Sequence, residues 1–179
     1  MKSKILLAAL LLTPLIVLFT STLSFQSGFS PKYTKNNGIF FTEYFDATNL
    51  NLISNSDNLK FNDGKWLFAT YLSSGNDLKQ ALYLMRQLNV ALNRDINKLK
   101  RAVFAQDRSA ITDQLINYPR TEIIIDSESE LYRMLSKFGD KNFFQEQKIF
   151  LIDPYGRAVM FFPVSMDPKL ILKDLKVLI

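Results

Sequence analysis

The chemistry open to this chain is narrowed by what its 179 residues omit, for there is no cysteine and no histidine. Without thiols there are no disulfides, no thiolate nucleophiles and no cysteine-ligated metals. Without imidazole the commonest metal ligand and the commonest general base are missing. Ser73 and Ser74 stand ahead of an apolar helical pattern, where backbone N–H groups can attract an anion. Capping is the simpler role, since Asp77 already places a negative charge there, and a serine nucleophile would need a base that only a lysine could supply. Met85, Met134, Met160 and Met166 offer thioethers, but Met85 falls on an apolar helix face and Met160 in a strand, which is core packing. Glu122, Asp126, Glu128 and Glu130 flank a strand end and a helix start, where acidic groups suit the helix dipole, and read as solvated. Phe143 and Phe144 lie in a loop over 139–147 and are a candidate contact for a protein partner, with burial against the sheet edge as the alternative. Tyr44-Phe45 is a second such pair. No catalytic residue, metal ligand or cofactor is expected.

The composition, 47% hydrophobic and 22% charged, is that of a folded chain with one domain and an appendage. The net charge of +5 includes Lys2 and Lys4, ahead of the first apolar segment. The other basic residues are scattered, Lys98, Lys100 and Arg101 being the densest group. Aromatic residues do not interleave with them, so no nucleic-acid footprint is present.

Ile5 to Phe25 carries no charge, and as a helix rising about 1.5 Å per residue it can cross a hydrocarbon core of about 30 Å. Lys2 and Lys4 predict a cytoplasmic N-terminus, with everything after Phe25 outside. We read 1–25 as a single-pass transmembrane anchor, a cleaved signal peptide being the alternative. Residues 26–60 read as a linker and N-terminal extension, with a strand over Gly38–Phe45, a loose polar stretch over Asp46–Asn58 and a hairpin-type turn at Asn62-Asp63-Gly64.

Residues 61–179 read as the main domain. Lys65–Leu72 is a short aromatic-rich run expected to be a buried strand. Leu78, Ala81, Leu82, Met85, Leu88, Ala91 and Leu92 fall at helical spacing, with Lys79, Gln80, Arg86, Gln87 and Asn93 opposite. Arg101–Ala105 is a second strand, Ser109–Asn117 a weaker helix, and Thr121–Ile125 a third strand. Ser127 or Ser129 caps a helix through Phe138, stopped by Gly139. Lys148–Ile152 and Arg157–Phe162 form a hairpin around Asp153-Pro154-Tyr155-Gly156. Asp167-Pro168 caps the last helix, whose apolar stripe is Ile171, Leu172, Leu175, Leu178 and Ile179. The order is β-α-β-α-β-α-β-β-α, an α/β class with a mixed, thioredoxin-like sheet.

Three stretches carry a family resemblance. They are Asn36-Asn37-Gly38; Gly64-Lys65-Trp66 with Ala81–Gln87 and Ala91-Leu92; and Phe150–Arg157 with Asp167-Pro168 and Leu172–Leu175. Together they resemble the Sco/SenC type of membrane-anchored thioredoxin-like proteins, and a branch of small anchored proteins linked to cytochrome oxidase biogenesis in proteobacteria. Copper-binding members carry C-x-x-x-C between the first strand and helix and a histidine before the closing hairpin. Ser74 and Leu78 stand at the cysteine positions, and Gln145, Glu146, Gln147 and Lys148 occupy the histidine region. A copper(I) site wants soft thiolates, which serine and leucine cannot supply. The resemblance therefore implies an exported, non-catalytic module on the periplasmic side of the inner membrane, with the motif lost. Its implied partner is a cytochrome oxidase subunit or assembly factor. The alternatives are a structural accessory subunit, or a degenerate oxidoreductase using a partner's thiols, which lacks the attacking thiolate that exchange requires.

Overall fold

The computed structural model describes residues 2–26, 36–54, 61, 63–73, 78–109 and 111–179. The chain divides into two compact units, Met1–Lys35 and Asn36–Ile179.

In the first unit, α1 spans Lys2–Gln26 with Pro14 inside it. The hydroxyls of Thr13, Thr20 and Thr22 donate to carbonyls three or four residues earlier, at 3.1 Å to Leu10, 2.8 Å to Ile16 and 2.7 Å to Leu18. That leaves these polar side chains satisfied without leaving the helix. Leu10–Leu12 and Leu15–Phe19 are exposed. Among the described residues no helix is long and apolar enough to cross a membrane. The side chains at 5–9, part of the expected span, lie outside the described residues.

The second unit is one seven-stranded mixed sheet. Its strands are β1 (Ile39–Asp46), β2 (Ile53–Ser54), β3 (Trp66–Tyr71), β4 (Leu99–Ala105), β5 (Thr121–Ile125), β6 (Lys148–Ile152) and β7 (Arg157–Pro163). They lie in the order β1-β7-β6-β3-β4-β5-β2. Parallel pairing joins β3 to β4 and β4 to β5, while β6 and β7 run antiparallel. All of β6, and all of β3 after Trp66, is buried, which explains why they read as apolar runs rather than alternating ones.

Helices α2 (Leu78–Ala91) and α5 (Pro168–Leu178) share one face of the sheet, packing Ala81, Met85, Leu88, Ile171 and Leu175 on Phe68, Ile149, Leu151 and Phe162. The single turn α3 (Thr112–Leu115) joins Leu78, Leu82 and Val103 in a smaller cluster. On the other face α4 (Glu130–Phe138) brings Leu131 and Leu135 against Leu67, Phe104, Phe150 and Phe161. Met85 and Met160 are buried, and Met134 and Met166 pack against the two main clusters.

Several expectations need correction. The segment 26–60 contributes both edge strands, β1 on β7 and β2 on β5, so a boundary at 61 cuts through the sheet. Asn62 lies outside the described residues, and Gly64 does have φ +80. Among the described residues the neighbours of β3 are β4 and β6, so β3 is not paired as the arm of a hairpin at that turn. The helix expected over Ser109–Asn117 shrinks to α3. Gly139 does end α4 directly after Phe138, as expected, with φ −74. Glycine is needed because a Cβ would lie 2.4 Å from the Phe143 ring and 2.5 Å from the Leu135 carbonyl oxygen. Gly156, at φ +94, fills the expected positive-φ position in the β6–β7 turn. Asp167 caps α5 through its carboxylate, which accepts from the Lys169 amide at 2.9 Å, with Pro168 in the first turn.

Candidate functional site

The C-terminal end of β3 is where the sheet opens toward the loops that carry the predicted residues. Residues 74–77 lie outside the described residues, and Ser74 with them. The chain resumes at Leu78, the first residue of α2, which is 2% exposed and packed with Leu82, Val103, Ile111 and Leu115. A side chain at 78 is thus a core side chain and not a ligand facing a cleft.

Opposite Leu72 and Ser73, the segment entering β6 is tied to the end of β3 by polar side chains. The Gln147 amide donates to the Thr70 hydroxyl and, at 3.1 Å, to the Tyr71 carbonyl. The Thr70 hydroxyl donates to the Lys148 carbonyl at 2.8 Å. Gln147 Oε1 is buried without a hydrogen-bond partner among the described residues. The Lys148 ammonium, 1% exposed, lies 3.2 Å from the Asp140 carboxylate and 3.7 Å from that of Glu146. It also donates to the carbonyls of Asn142 and Phe143 at 2.8 and 3.1 Å, and sits 5.3 Å from the Phe143 ring centre. This cation holds the 140–146 loop closed over the sheet end. All its donors have acceptors, so it is not poised as a base or nucleophile.

Tyr71, at the end of β3, donates its hydroxyl to Asp126 Oδ2 at 3.0 Å. Asp126 is wholly buried, so it is not one of a solvated acidic group as the sequence suggested. Its carboxylate accepts from the amides of Leu131 and Tyr132 at 3.3 and 2.9 Å. It thereby caps α4 in place of Ser129, whose φ of 55 leaves it without a side-chain cap bond. Glu128 and Glu130 are occupied by Asn51, through its side-chain amide and its backbone N–H, each at 2.7 Å. Burial first, then the charge and hydrogen bond of Asp126, push the Tyr71 phenol far above its ordinary pKa. The phenol therefore stays protonated and serves as a donor only.

The predicted aromatic pair divides. Phe143 is 4% exposed and meets Phe161 edge-on and Phe41 at a tilt, centroids 5.1 and 6.0 Å away. It is a core residue, so the contact reading does not hold for it. Phe144 is half-buried and stacks on Tyr132 at 4.2 Å, with Tyr71 edge-on at 5.6 Å. Tyr44 is exposed, while Phe45 is core. A shallow cleft beside this stack is lined by Ser73, Tyr132, Ser136, Lys141, Asn142 and Phe144. Among the described residues no group of three or more acidic, cysteine or histidine side chains could hold a metal. The site is an aromatic and amide surface with its strongest polar groups already paired.

Residues 67–179 match the family described as transmembrane-like, thioredoxin-like, C-terminal domain. The chain belongs to that family. The matched span begins in β3 and runs to the end of the chain, so both faces of the central sheet fall within this thioredoxin-like domain. No curated protein matches the sequence. Among solved structures, a cysteine-to-serine variant of PrxQ from Xylella fastidiosa superposes with a TM-score of 0.52 at 16% identity, over 79% of this chain and 98% of that one. Peroxiredoxin Q from Xanthomonas campestris gives 0.50 at 17% identity, over 73% and 92%. BsSco, a member of the Sco family of cytochrome c oxidase assembly proteins, gives 0.50 at 14% identity, over 82% and 97%. These likenesses establish the thioredoxin-like fold.

Tyr71, Asp126, Gln147 and Lys148 were not singled out by sequence reasoning as a connected group. Asp126, directly after a strand and ahead of Ser127–Glu130, did carry a capping signal. For Gln147 and Lys148 no local signal exists, because their partners come from β3 and from the loop fold.

Proposed function

We propose that this chain is a non-catalytic, membrane-anchored thioredoxin-like module that assists cytochrome c oxidase assembly by protein contact. The observation that carries the loss of chemistry is Leu78. Where the resemblance puts a second thiolate, the side chain is buried in the core, and the sequence holds no cysteine or histidine to replace it. The oxidase link is drawn from the Sco-type sequence resemblance. The anchor is α1, whose described apolar side chains from Leu10 to Phe19 are exposed and whose flanking Lys2 and Lys4 orient it with the N-terminus in the cytoplasm. The domain then lies on the periplasmic side.

The contact surface in this reading is the 140–146 loop with the Phe144–Tyr132 stack. Lys141, Asn142, Gln145 and Glu146 are exposed there, on a loop pinned from beneath by Lys148. Deletion of the gene is expected to lower cytochrome oxidase activity, and the tagged chain is expected to co-purify from detergent-solubilised membranes with an oxidase subunit or assembly factor. Normal oxidase activity in the deletion strain would remove the oxidase part of the proposal. Recovery of the chain in the soluble fraction after alkaline washing of membranes would remove the anchor.

A further inference from the structure

At the other end of the parallel strands lies a cationic cleft that the proposed function does not use. Arg101, the third residue of β4, pairs with Phe68 of β3 and Thr121 of β5. It shares a strand face with Leu99 and Val103, two positions either side, whose side chains pack on the α2 side of the sheet, so the arginine lies under α2. It is only 7% exposed. Arg86 approaches from α2 and Arg120 from the segment between α3 and β5, and two adjoining concavities share Arg101, Arg120, Asn89 and Ile96 as walls.

The three guanidiniums have no acid. Among the described residues, the guanidiniums of Arg86, Arg101 and Arg120 have no ion pair and no side-chain hydrogen bond. Among the described residues, Glu122 is the one carboxylate lining the cleft, and it is not within ion-pair distance of any of them. Lys65 and Lys100 add to the same wall, Lys100 facing Asp63 at 3.0 Å. The wall is also built rather than loose. Asn89, 6% exposed, donates to the carbonyls of Ile96 and Leu99 at 3.2 and 3.0 Å, locking α2 to the turn that leads into β4.

A buried cation without a counter-charge is costly, and fixed proteins rarely retain one unless something pairs it. Burial, then the charges of Arg86 and Arg120, pull the Arg101 guanidinium below its ordinary pKa, as expected for like charges converging on one space. Several planar forks converging without competition match the several oxygens and negative charge of a phosphate group.

We propose that the cleft between α2, the start of β4 and the Pro119-Arg120 segment binds a phosphate group, with Arg101 as its floor and Arg86 and Arg120 as its sides. The phosphate is carried either by a soluble compound or by a lipid headgroup. In both cases the protein reads the same oxygens.

The test uses the full chain in a non-ionic detergent. Its thermal midpoint is followed against inorganic phosphate, inorganic pyrophosphate, dihexanoyl phosphatidylglycerol and dihexanoyl phosphatidylcholine, with sodium chloride at matched ionic strength. We expect a saturable rise of about 5–10 °C at a hundredfold excess over Kd for at least one phosphate probe. Arg101→Gln and Arg120→Gln should each weaken binding at least tenfold. Arg120 is exposed, so its variant folds even if Arg101→Gln does not. A response to phosphate or pyrophosphate assigns a soluble phosphate. A response to phosphatidylglycerol alone assigns a headgroup. The proposal is overturned if no probe gives a saturable shift beyond that of sodium chloride or phosphatidylcholine, or if Arg120→Gln responds as the parent does.

Discussion

Asn37 and Asp174, 137 positions apart, are joined by two hydrogen bonds to one buried carboxylate: the Asn37 backbone N–H at 2.7 Å and its side-chain amide at 2.8 Å. Gly38 adds its own N–H at 2.8 Å. The entry to β1 is thus fastened to the middle of α5. Asp174 is 3% exposed, so removing its carboxylate strands several donors away from water. Asp174→Ala is expected to lower unfolding free energy by about 3 kcal/mol, read by urea denaturation. A loss below about 1 kcal/mol would show that the fastening is dispensable.

Gly38 belongs to the same junction for a steric reason. A Cβ there would lie 2.4 Å from the Phe162 ring, and Phe162, on β7, is wholly buried in the cluster it shares with α2 and α5. Gly38→Ala should therefore cost about 1–3 kcal/mol as an overpacking change. An unchanged denaturation midpoint would mean that the ring has room to yield.

These contacts show what could and could not be read in the chain. The β3 boundaries, the apolar stripe of α2 and the Asp167-Pro168 cap of α5 follow from local patterns, because period and capping are properties of neighbouring residues. Asn36-Asn37-Gly38 was visible as part of a resemblance, yet its reason, the Asp174 carboxylate, lies at the far end of the sequence. β2 is two residues long and exists only because β5 offers an edge. The sequence alone makes Asp126 look solvated, because Tyr71, whose hydroxyl donates to it, is 55 positions away. At the candidate site the aromatic pair was legible as a pair. Which ring faces the core depends on the packing of Gly139 against Phe143.

Tyr71 gives the fold an alkaline limit. Its phenol is held protonated by burial and by Asp126, so its pKa is raised on folding and its contribution to stability is whole below the unfolded-state value of about 10. Above that pH the unfolded chain ionises while the folded one does not, and stability falls. Tyrosinate absorbance should show one tyrosine withheld until unfolding, and Tyr71→Phe should flatten the loss of stability above about pH 10. An equal alkaline loss in Tyr71→Phe would contradict this assignment.

Lys148 should govern the loop it pins. Lys148→Ala removes a buried cation from Asp140 and takes one donor each from the Asn142 and Phe143 carbonyls, of which Asn142 keeps the Gln145 N–H at 3.0 Å. The expected loss is about 3–5 kcal/mol, accompanied by faster proteolysis within 140–146. Stability lost without faster cleavage in that loop would separate the lysine from the contact surface.

Leu78 bears on whether chemistry could be restored. It sits in the core with Leu82 and Val103, so Leu78→Ala should cost about 2–5 kcal/mol. The double change Ser74→Cys with Leu78→Cys should give a chain without a stoichiometric sub-micromolar Cu(I) site, measured by competition with a chromophoric chelator, because one thiol faces the core and no histidine completes the set.

The central claim is that this module acts by contact and not by chemistry at the lost motif. The most direct measurement is oxidase activity in a deletion strain complemented with Ser74→Ala, scored beside the amount of folded protein. Restoration to the parent level is expected, whereas Lys141→Glu on the exposed loop should restore less at equal abundance. Failure of Ser74→Ala to restore activity while the protein accumulates folded would contradict the account.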